Sequence, residues 1–191
     1  MNSFFSMLSR MKHINRWGLM RNTWKESLSE HSFDVAVISY GLAAIGNARL
    51  KKQYHMERAA LLGLFHDVSE IITGDLPTPV KYHDEEIKQA YKKVETIASQ
   101  SLLQMLPGDM QHEFQSLLIA NPEEAELWRL VKAADKISAY IKCVEEECAG
   151  NCEFSSAKKA LYQTVCSLKV EEAEIFMQEF LPSFEKTLDE Q

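Results

Sequence analysis

Apolar residues recur at helical spacing along almost the whole chain. Between residues 31 and 45, one histidine and four aliphatic residues follow one another at intervals of three or four, so they share one face of a helix. These residues are His31, Val35, Ile38, Leu42 and Ile45. Ser27 and Glu30 precede them as a Ser-x-x-Glu capping box, in which each side chain can bond the other residue's free backbone N–H. We therefore predict a long helix that begins at this box.

The same spacing predicts further helices. Residues 56–66 form one helix, and residues 68–73 add a short helical turn that Gly74 ends. A long amphipathic helix over residues 87–105 stops at the Pro-Gly pair 107–108.

Three more helices are predicted after these. The Asn-Pro pair 121–122 opens a helix that runs to about Ala149. Residues 155–168 and 170–188 form the other two, and Pro182 bends or ends the last one. The chain has no convincing strand, repeat or interdomain linker, so the predicted fold class is all-α, a helical bundle.

The segment 74–79, Gly-Asp-Leu-Pro-Thr-Pro, interrupts the helical pattern. Its two prolines fix their own φ and push Leu76 and Thr78 towards extended geometry. We predict a stiff loop over these residues.

Composition agrees with a helical globular domain. The chain has 7 glycines and 5 prolines in 191 residues, about half the usual share, so turns should be few and elements long. Its net charge of -7 gives no long-range attraction for nucleic acid or an anionic membrane, so neither is expected as a partner. We expect a cytoplasmic protein with reduced cysteines, since no signal-peptide or membrane-spanning pattern occurs. A metal–thiolate site at Cys143, Cys148 and Cys152 is the alternative for those thiols.

Strong metal ligands occur at four positions on otherwise apolar helical faces: His31, the adjacent pair His66 and Asp67, and Asp135. Asp135 is the most informative, because apolar residues stand one helical turn to either side of it and a buried, unpaired carboxylate is costly. Two imidazoles and two carboxylates suit a divalent ion such as Mn, Co, Fe or Zn, and they leave coordination positions open for water and substrate.

Each ligand candidate also has a structural interpretation. His31 taken alone could be a core histidine, and the pair 66–67 could be a helix-terminal imidazole with its partner. Asp135 could pair with Arg129 or Lys132 of its own helix.

Five short motifs resemble the bacterial HD-domain 5'-deoxynucleotidases, and the likeness runs over essentially the whole chain. They are residues 14–17 (Ile-Asn-Arg-Trp), 29–32 (Ser-Glu-His-Ser), 65–70 (Phe-His-Asp-Val-Ser-Glu), 73–81 (Thr-Gly-Asp-Leu-Pro-Thr-Pro-Val-Lys) and 132–135 (Lys-Ala-Ala-Asp). The resemblance implies one HD-type domain over residues 1–191. Its metal core would lie at about 27–140, with C-terminal helices at about 153–188 packed on it.

The resemblance also implies an activity and a site. The activity is metal-dependent removal of phosphate from deoxyribonucleoside 5'-monophosphates, with a divalent ion (Co, Mn, Zn, Fe or Mg) as cofactor. The implied metal ligands are His31, His66, Asp67 and Asp135. The implied substrate contacts are Arg16, Trp17, His31, Asp67, Asp75, Leu76, Pro77, Thr78 and Asp135.

Two residues are expected to act in catalysis. Arg16 could bind two phosphate oxygens at once through its planar guanidinium. Glu70 stands four residues after His66, on the same helical face if the helix continues, and could orient a water molecule or shuttle its proton. Trp17 would offer the sugar an apolar surface that disfavours a ribose 2'-hydroxyl. Taken alone, Arg16 could be a solvated base, Trp17 a core residue and Glu70 a cap.

Other functions stay open at this point. The same metal motif could serve a different HD reaction, on a nucleoside triphosphate, a cyclic nucleotide or a guanosine polyphosphate. A non-catalytic nucleotide-binding helical protein is the alternative from another class. Relatives of this kind tend to be dimers, and the apolar segment that contains Ile175, Phe176, Phe180 and Phe184 could pack on a second copy.

Overall fold

The computed structural model describes residues 2–81 and 84–191, apart from the side chains of Thr78 and Pro79. Its α-helices are, in chain order, α1 (Phe4–Leu8), α2 (Leu28–Arg49), α3 (Met56–Phe65), α4 (Glu70–Thr73), α5 (Thr78–Lys81), α6 (Glu85–Leu103), α7 (Gln111–Leu118), α8 (Ala125–Cys148), α9 (Ser155–Ser167) and α10 (Glu171–Glu179). Short 3-10 turns lie at Ser9–His13, Pro122–Glu124, Cys152–Phe154, Leu181–Glu185 and Leu188–Glu190.

The described residues form no strand, and their β-type pairing is limited to an isolated bridge between Asn15 and Ser27. The prediction of an all-α fold is therefore confirmed. None of the described helices combines the length and the apolar character that a bilayer crossing requires.

The predicted capping box begins α2. Glu30 Oε2 accepts hydrogen bonds from the Ser27 backbone N–H at 2.7 Å and from the Ser27 hydroxyl at 2.6 Å. In return, the Glu30 backbone N–H donates to Ser27 Oγ at 3.3 Å. The five residues predicted to share one face of this helix, from His31 to Ile45, are all buried, so this prediction is confirmed in start and orientation.

The predicted loop over residues 74–79 is only partly correct. Gly74 ends α4 with a positive φ of 73°, a conformation that glycine adopts without steric cost. The next three residues are irregular, but α5 begins at Thr78 and includes Pro79. A proline is tolerated in the first turn of a helix, because its missing N–H would have no intrahelical partner there. The prediction of a loop is therefore wrong from Thr78 onwards.

The last predicted helix is shorter than the apolar spacing indicates. α10 ends at Glu179, and Pro182 lies in the first turn of the 3-10 segment Leu181–Glu185. Of the two outcomes predicted at Pro182, an end of the helix near this residue is confirmed. A bent helix that continues to residue 188 is wrong, because proline can start a new turn but interrupts the hydrogen bonds of a continuing helix. α7, between the breaks at 107–108 and 121–122, was not predicted as a separate helix.

The chain divides into two compact units with interleaved segments. Unit 1 comprises the segment up to Leu19, Lys25–Ser32 and Phe65–Glu123. Its core includes residues of α1, the start of α2, the turn before α4, and α6. The buried members of that core are Phe4, Met11, Leu28, Val68, Leu102 and Leu106.

Unit 2 comprises Met20–Trp24, Phe33–Leu64 and Glu124–Gln191, and α8 packs against α9 and α10 within it. A buried ion pair lies inside this unit, between Lys142 and Glu146 of α8. Lys142 also donates to the Trp24 backbone oxygen at 2.9 Å, and Glu146 accepts from the Thr23 backbone N–H at 2.9 Å. The single HD-type domain over residues 1–191 stays a prediction.

Candidate metal and substrate site

Two histidines and one aspartate of unit 1 bring their ligand atoms together. His31 lies in the first turns of α2 and is fully buried, while His66 and Asp67 lie in the turn that follows α3. Asp67 Oδ2 is 2.9 Å from His66 Nε2 and 3.7 Å from His31 Nε2. The centres of the two imidazole rings are 5.2 Å apart. Their ligand atoms lie within 4.8 Å of one another, close enough to bind one cation.

The chemistry of this donor set fits a divalent metal ion. Imidazole nitrogen and carboxylate oxygen are the ligands of catalytic zinc and of neighbouring first-row metals, and three protein ligands leave further positions for water or substrate. His31 is buried, as its core-histidine interpretation predicts, and it also lies 3.7 Å from a carboxylate oxygen that is 2.9 Å from a second imidazole. His31, His66 and Asp67 could therefore hold a divalent ion.

Asp135 lies on α8 in unit 2. Val131 and Ala139, one turn to either side, are buried as predicted, and the Asp135 side chain is 20% exposed. Its carboxylate is 2.8 Å from Lys136 Nζ. Arg129, one of the two ion-pair partners considered from the sequence, has its guanidinium 3.5 Å from Glu126 and 3.6 Å from Glu172.

Glu70 is the first residue of α4 and is buried. Burial, with the nearby negative charges of Asp67 and Asp75, raises the pKa of Glu70 to about 9, although Lys81 and Arg16 oppose the rise. The carboxyl is then protonated at neutral pH, a state in which it can donate as well as accept a hydrogen bond. A cation held beside Asp67 would offset one of these negative charges and lower this pKa. Such a group is suited to transferring a proton.

Arg16 and Trp17 share one carboxylate partner, Glu26. Arg16 Nη1 donates to Glu26 Oε2 at 2.6 Å, and Trp17 Nε1 donates to the same oxygen at 2.9 Å. The Arg16 side chain is only 12% exposed, so it is not the solvated base considered from the sequence. Trp17 has a left-handed backbone conformation with φ 59°, which is uncommon for a bulky residue. Such local strain concentrates at ligand-binding sites.

The segment after Gly74 brings Asp75 to the same region of unit 1. Asp75 accepts a hydrogen bond from the Trp17 backbone N–H, and burial raises the pKa of its carboxyl while Arg16 lowers it. This contact reaches back along the chain to Trp17, and the contact of Asp75 with the substrate stays a prediction. Leu76 and Pro77 are half-buried, and the side chain of Thr78 lies outside the described residues.

Glu26 was missed by sequence reasoning. Glu26 is an isolated acidic residue ten positions after Arg16, and it forms part of no recognisable sequence motif. Its contact depends on the pairing of two short segments, in which the Arg16 backbone N–H donates to Glu26 O at 2.9 Å. Two or three residues of extended chain are too short to show an alternating pattern.

Comparison with known proteins assigns the family. Residues 3–184 match the family model described as 5'-deoxynucleotidase YfbR-like. The chain belongs to this family. Proteins called 5'-deoxynucleotidase from Yersinia pestis (strain Pestoides F) and Yersinia pseudotuberculosis (serotype O:3, strain YPIII) are 49% identical to it over 190 residues. That alignment covers 100% of this chain and 96% of each relative, so membership in the YfbR-like family extends over the whole chain.

Solved structures show the same fold. An HD-domain phosphohydrolase from Listeria innocua matches with a TM-score of 0.79 and 22% identity, over 95% of this chain and 88% of the other. The HD phosphohydrolase of cyanophage S-2L, solved with dA and one catalytic Zn²⁺ ion, matches with a TM-score of 0.66 and 23% identity, over 95% and 96%. The predicted HD-type fold of this YfbR-like family member is therefore confirmed.

Proposed function

We propose that this protein hydrolyses deoxyribonucleoside 5'-monophosphates to the deoxynucleoside and phosphate with the help of a divalent metal ion. The observation that carries the proposal is the convergence of His31, His66 and Asp67 in a member of the YfbR-like family. Asp135 is proposed as the fourth ligand, because it is a carboxylate between buried apolar residues of α8 and because it matches the family motif. The ion is Co, Mn, Zn, Fe or Mg.

When bound, a divalent ion lowers the pKa of water and neutralises charge on a phosphoryl oxygen. The chain's own residues do the rest. Arg16 binds the phosphate through its guanidinium, which is necessary because the net charge of -7 repels an anion. Glu70 exchanges a proton with the attacking water or the leaving oxygen. His31, Asp67 and Asp135 flank the phosphate.

The sugar is proposed to lie against Trp17 and the segment after Gly74. Trp17 presents its indole face to the deoxyribose, and Asp75, Leu76, Pro77 and Thr78 complete the contact. An apolar surface rejects an added hydroxyl only weakly, so we expect a deoxyribose preference on the order of 1 to 3 kcal/mol.

Product analysis with a nucleotide panel tests the proposed function. The purified protein is treated with a chelator and reloaded with each metal in turn. It is then supplied with dAMP, AMP, the 3'-monophosphate of deoxyadenosine, dATP and cyclic AMP. The expected result is phosphate release from dAMP that depends on added metal, with slower release from AMP. Pyrophosphate from dATP, or activity on cyclic AMP alone, would assign a different HD reaction. Inactivity on the whole panel in every metal would favour a non-catalytic nucleotide-binding protein.

We also propose that the protein is a cytoplasmic homodimer. Three apolar side chains, Phe33, Val37 and Tyr40, form an exposed stripe along α2, and Phe180 and Phe184 are also exposed in unit 2. Adjacent exposed apolar side chains of this size are typical of protein–protein contacts. Light scattering coupled to size-exclusion chromatography tests the dimer. Phe33→Ser is expected to shift the equilibrium from dimer towards monomer.

The exposed thiols Cys148, Cys152 and Cys166 fit a reducing compartment, which supports the proposed cytoplasmic location.

A further inference from the structure

Glu26 contacts both of the side chains proposed to recognise phosphate and sugar. Its Oε2 accepts from Arg16 Nη1 at 2.6 Å and from Trp17 Nε1 at 2.9 Å. We propose that Glu26 is a positioning residue for the deoxynucleotide, which fixes the guanidinium of Arg16 and the indole of Trp17 in one relative orientation. The inference rests on the function proposed above and adds a residue to it.

The backbone makes this double contact possible. Consecutive residues of an extended chain point to opposite sides, so the side chains of residues 16 and 17 would ordinarily diverge. The left-handed conformation of Trp17, with φ 59°, breaks that alternation. Main-chain hydrogen bonds place Glu26 directly across from Arg16. The Arg16 N–H donates to Glu26 O at 2.9 Å, and the Leu28 N–H donates to Ile14 O at 2.8 Å.

Burial makes the contact a firm one. The side chains of Arg16 and Glu26 are 12% and 9% exposed, so water and salt screen their interaction much less than they would on the surface. Hydrogen bonds between ionised groups are shorter and stronger than neutral ones, and they restrict the guanidinium more tightly. A glutamine in place of Glu26 would keep the size and an acceptor oxygen but remove the charge.

Because Glu26 bonds both side chains, it links recognition of the phosphate by Arg16 to recognition of the sugar by Trp17. If Arg16 binds the phosphate and Trp17 lies against the sugar, their relative orientation sets how far the sugar lies from the phosphate site. Loss of the anchor should then reduce turnover and weaken discrimination between deoxyribose and ribose together. A residue with a merely structural role would lower stability and leave the ratio between the two substrates unchanged.

Kinetics of Glu26→Gln provide the first test. Rates are measured on dAMP and AMP with metal in excess, with circular dichroism melting to confirm folding. The expected result is a fall in kcat of about tenfold or more, and a fall of at least threefold in the dAMP-to-AMP ratio of kcat/KM. Glu179→Gln is the matched control, because Glu179 pairs with Arg49 at 2.6 and 2.7 Å on the surface of unit 2. It should stay within twofold of the wild type.

A double-substitution cycle separates positioning from a general loss of fit. In a Trp17→Phe background, which lacks the indole N–H, Glu26→Gln should cause no further change in the substrate ratio. Glu26→Asp keeps the charge but withdraws it by one methylene, and should give an intermediate ratio. If Glu26→Gln does not fold, Glu26→Asp decides the matter, and a wild-type ratio in that variant would overturn the proposal.

Nuclear magnetic resonance supplies a readout that does not depend on activity. The three tryptophan indole N–H signals of ¹⁵N-labelled protein are compared, and Trp17→Phe identifies the one from Trp17. Glu26→Gln should shift that signal upfield and speed its exchange with water, while the other two remain in place. An unchanged Trp17 signal would overturn the proposal. Should the wild type release no phosphate from dAMP, the proposed function fails, and this signal still shows whether Glu26 holds the ring.

Discussion

Arg16 supplies a local positive charge in a protein whose overall charge repels phosphate. Its guanidinium is almost buried and is oriented by Glu26, so it presents a fixed planar donor group. Lysine has a single ammonium group and cannot donate in that planar arrangement.

We therefore expect Arg16→Lys to lower kcat/KM for dAMP by on the order of 10- to 100-fold, corresponding to the loss of one charged hydrogen bond. Steady-state phosphate release checks this result. Arg49→Lys, at a surface ion pair of unit 2, is the control. Wild-type kinetics in Arg16→Lys would show that this residue does not bind the phosphate.

Glu70 is proposed to transfer a proton, and its burial beside two other carboxylates prepares it for that task. Glu70→Gln keeps the shape of the side chain but cannot exchange a proton. We expect kcat to fall by roughly 10²- to 10⁴-fold, the usual contribution of a general acid or base, with KM for dAMP little changed.

The pH dependence of kcat distinguishes this role from a packing role. The wild type should show a titration that Glu70→Gln lacks. If the variant is slow but keeps the wild-type pH profile, another group transfers the proton.

At the scale of single residues, the sequence was most informative where a polar side chain stands among apolar neighbours on a helical face. His31 and Asp135 could be singled out because strong ligands on apolar helical faces need a partner. Glu26 could not, because its importance comes from a contact between segments 16–17 and 26 that no periodicity records.

At the scale of elements, the close approach of α2 and α3 in unit 2 depends on Gly63. A Cβ atom at this position would lie 2.9 Å from Ser39 Oγ and 3.0 Å from both Ala36 Cα and Val35 O. Backbone atoms cannot yield as a flexible side chain would, so overpacking of this kind typically costs about 1 to 3 kcal/mol.

Urea unfolding of Gly63→Ala should show that loss. Gly41→Ala is the matched control, because Gly41 lies within α2 and a Cβ atom there would meet nothing within 4 Å. That change should be neutral or stabilising by up to about 1 kcal/mol, since alanine favours helix over glycine. Equal stabilities of the two variants would contradict the close packing.

The helices themselves were largely predictable, because apolar spacing, the capping box and the Pro-Gly breaks all act locally. The start of α2 and the end of α8 follow from such signals. The failures occur at prolines. Thr78 and Pro79 could either extend a loop or start a helix, and Pro182 could either bend α10 or follow its end. Tertiary contacts decide between such alternatives, and local sequence patterns carry no information about those contacts.

At the scale of the whole molecule, the interleaving of the two units could not be predicted. Each unit draws on three separate segments, so no linker or shift in composition marks a boundary. The segment Met20–Trp24 belongs to unit 2, where the buried pair of Lys142 and Glu146 contacts it.

This buried pair predicts how stability depends on pH. Burial alone would raise the pKa of Glu146, but hydrogen bonds from Lys142, Asn151 and Thr23 lower it to about 2. Because the pKa in the folded state is below the unfolded value, the stabilisation is present above about pH 4.5 and is lost as pH falls towards 2. The shift corresponds to on the order of 3 kcal/mol.

Unfolding of the wild type and of the double variant Lys142→Met/Glu146→Leu, from pH 6 to pH 2, measures this effect. The double variant replaces both charges with apolar side chains of similar size, which avoids leaving a single buried charge. The wild type should lose on the order of 3 kcal/mol more than the variant over this range. Parallel curves would show that Glu146 does not titrate with folding.

Six consecutive residues, 26–31, serve three purposes in succession. Glu26 anchors two side chains, Ser27 and Glu30 start α2, and His31 offers its imidazole in the first turns of that helix. One extra residue between Glu30 and His31 would turn the imidazole about 100° around the helix axis, away from Asp67. This stretch can therefore tolerate some amino-acid substitutions, but an insertion or deletion within it would separate the proposed nucleotide contacts from the proposed metal ligands.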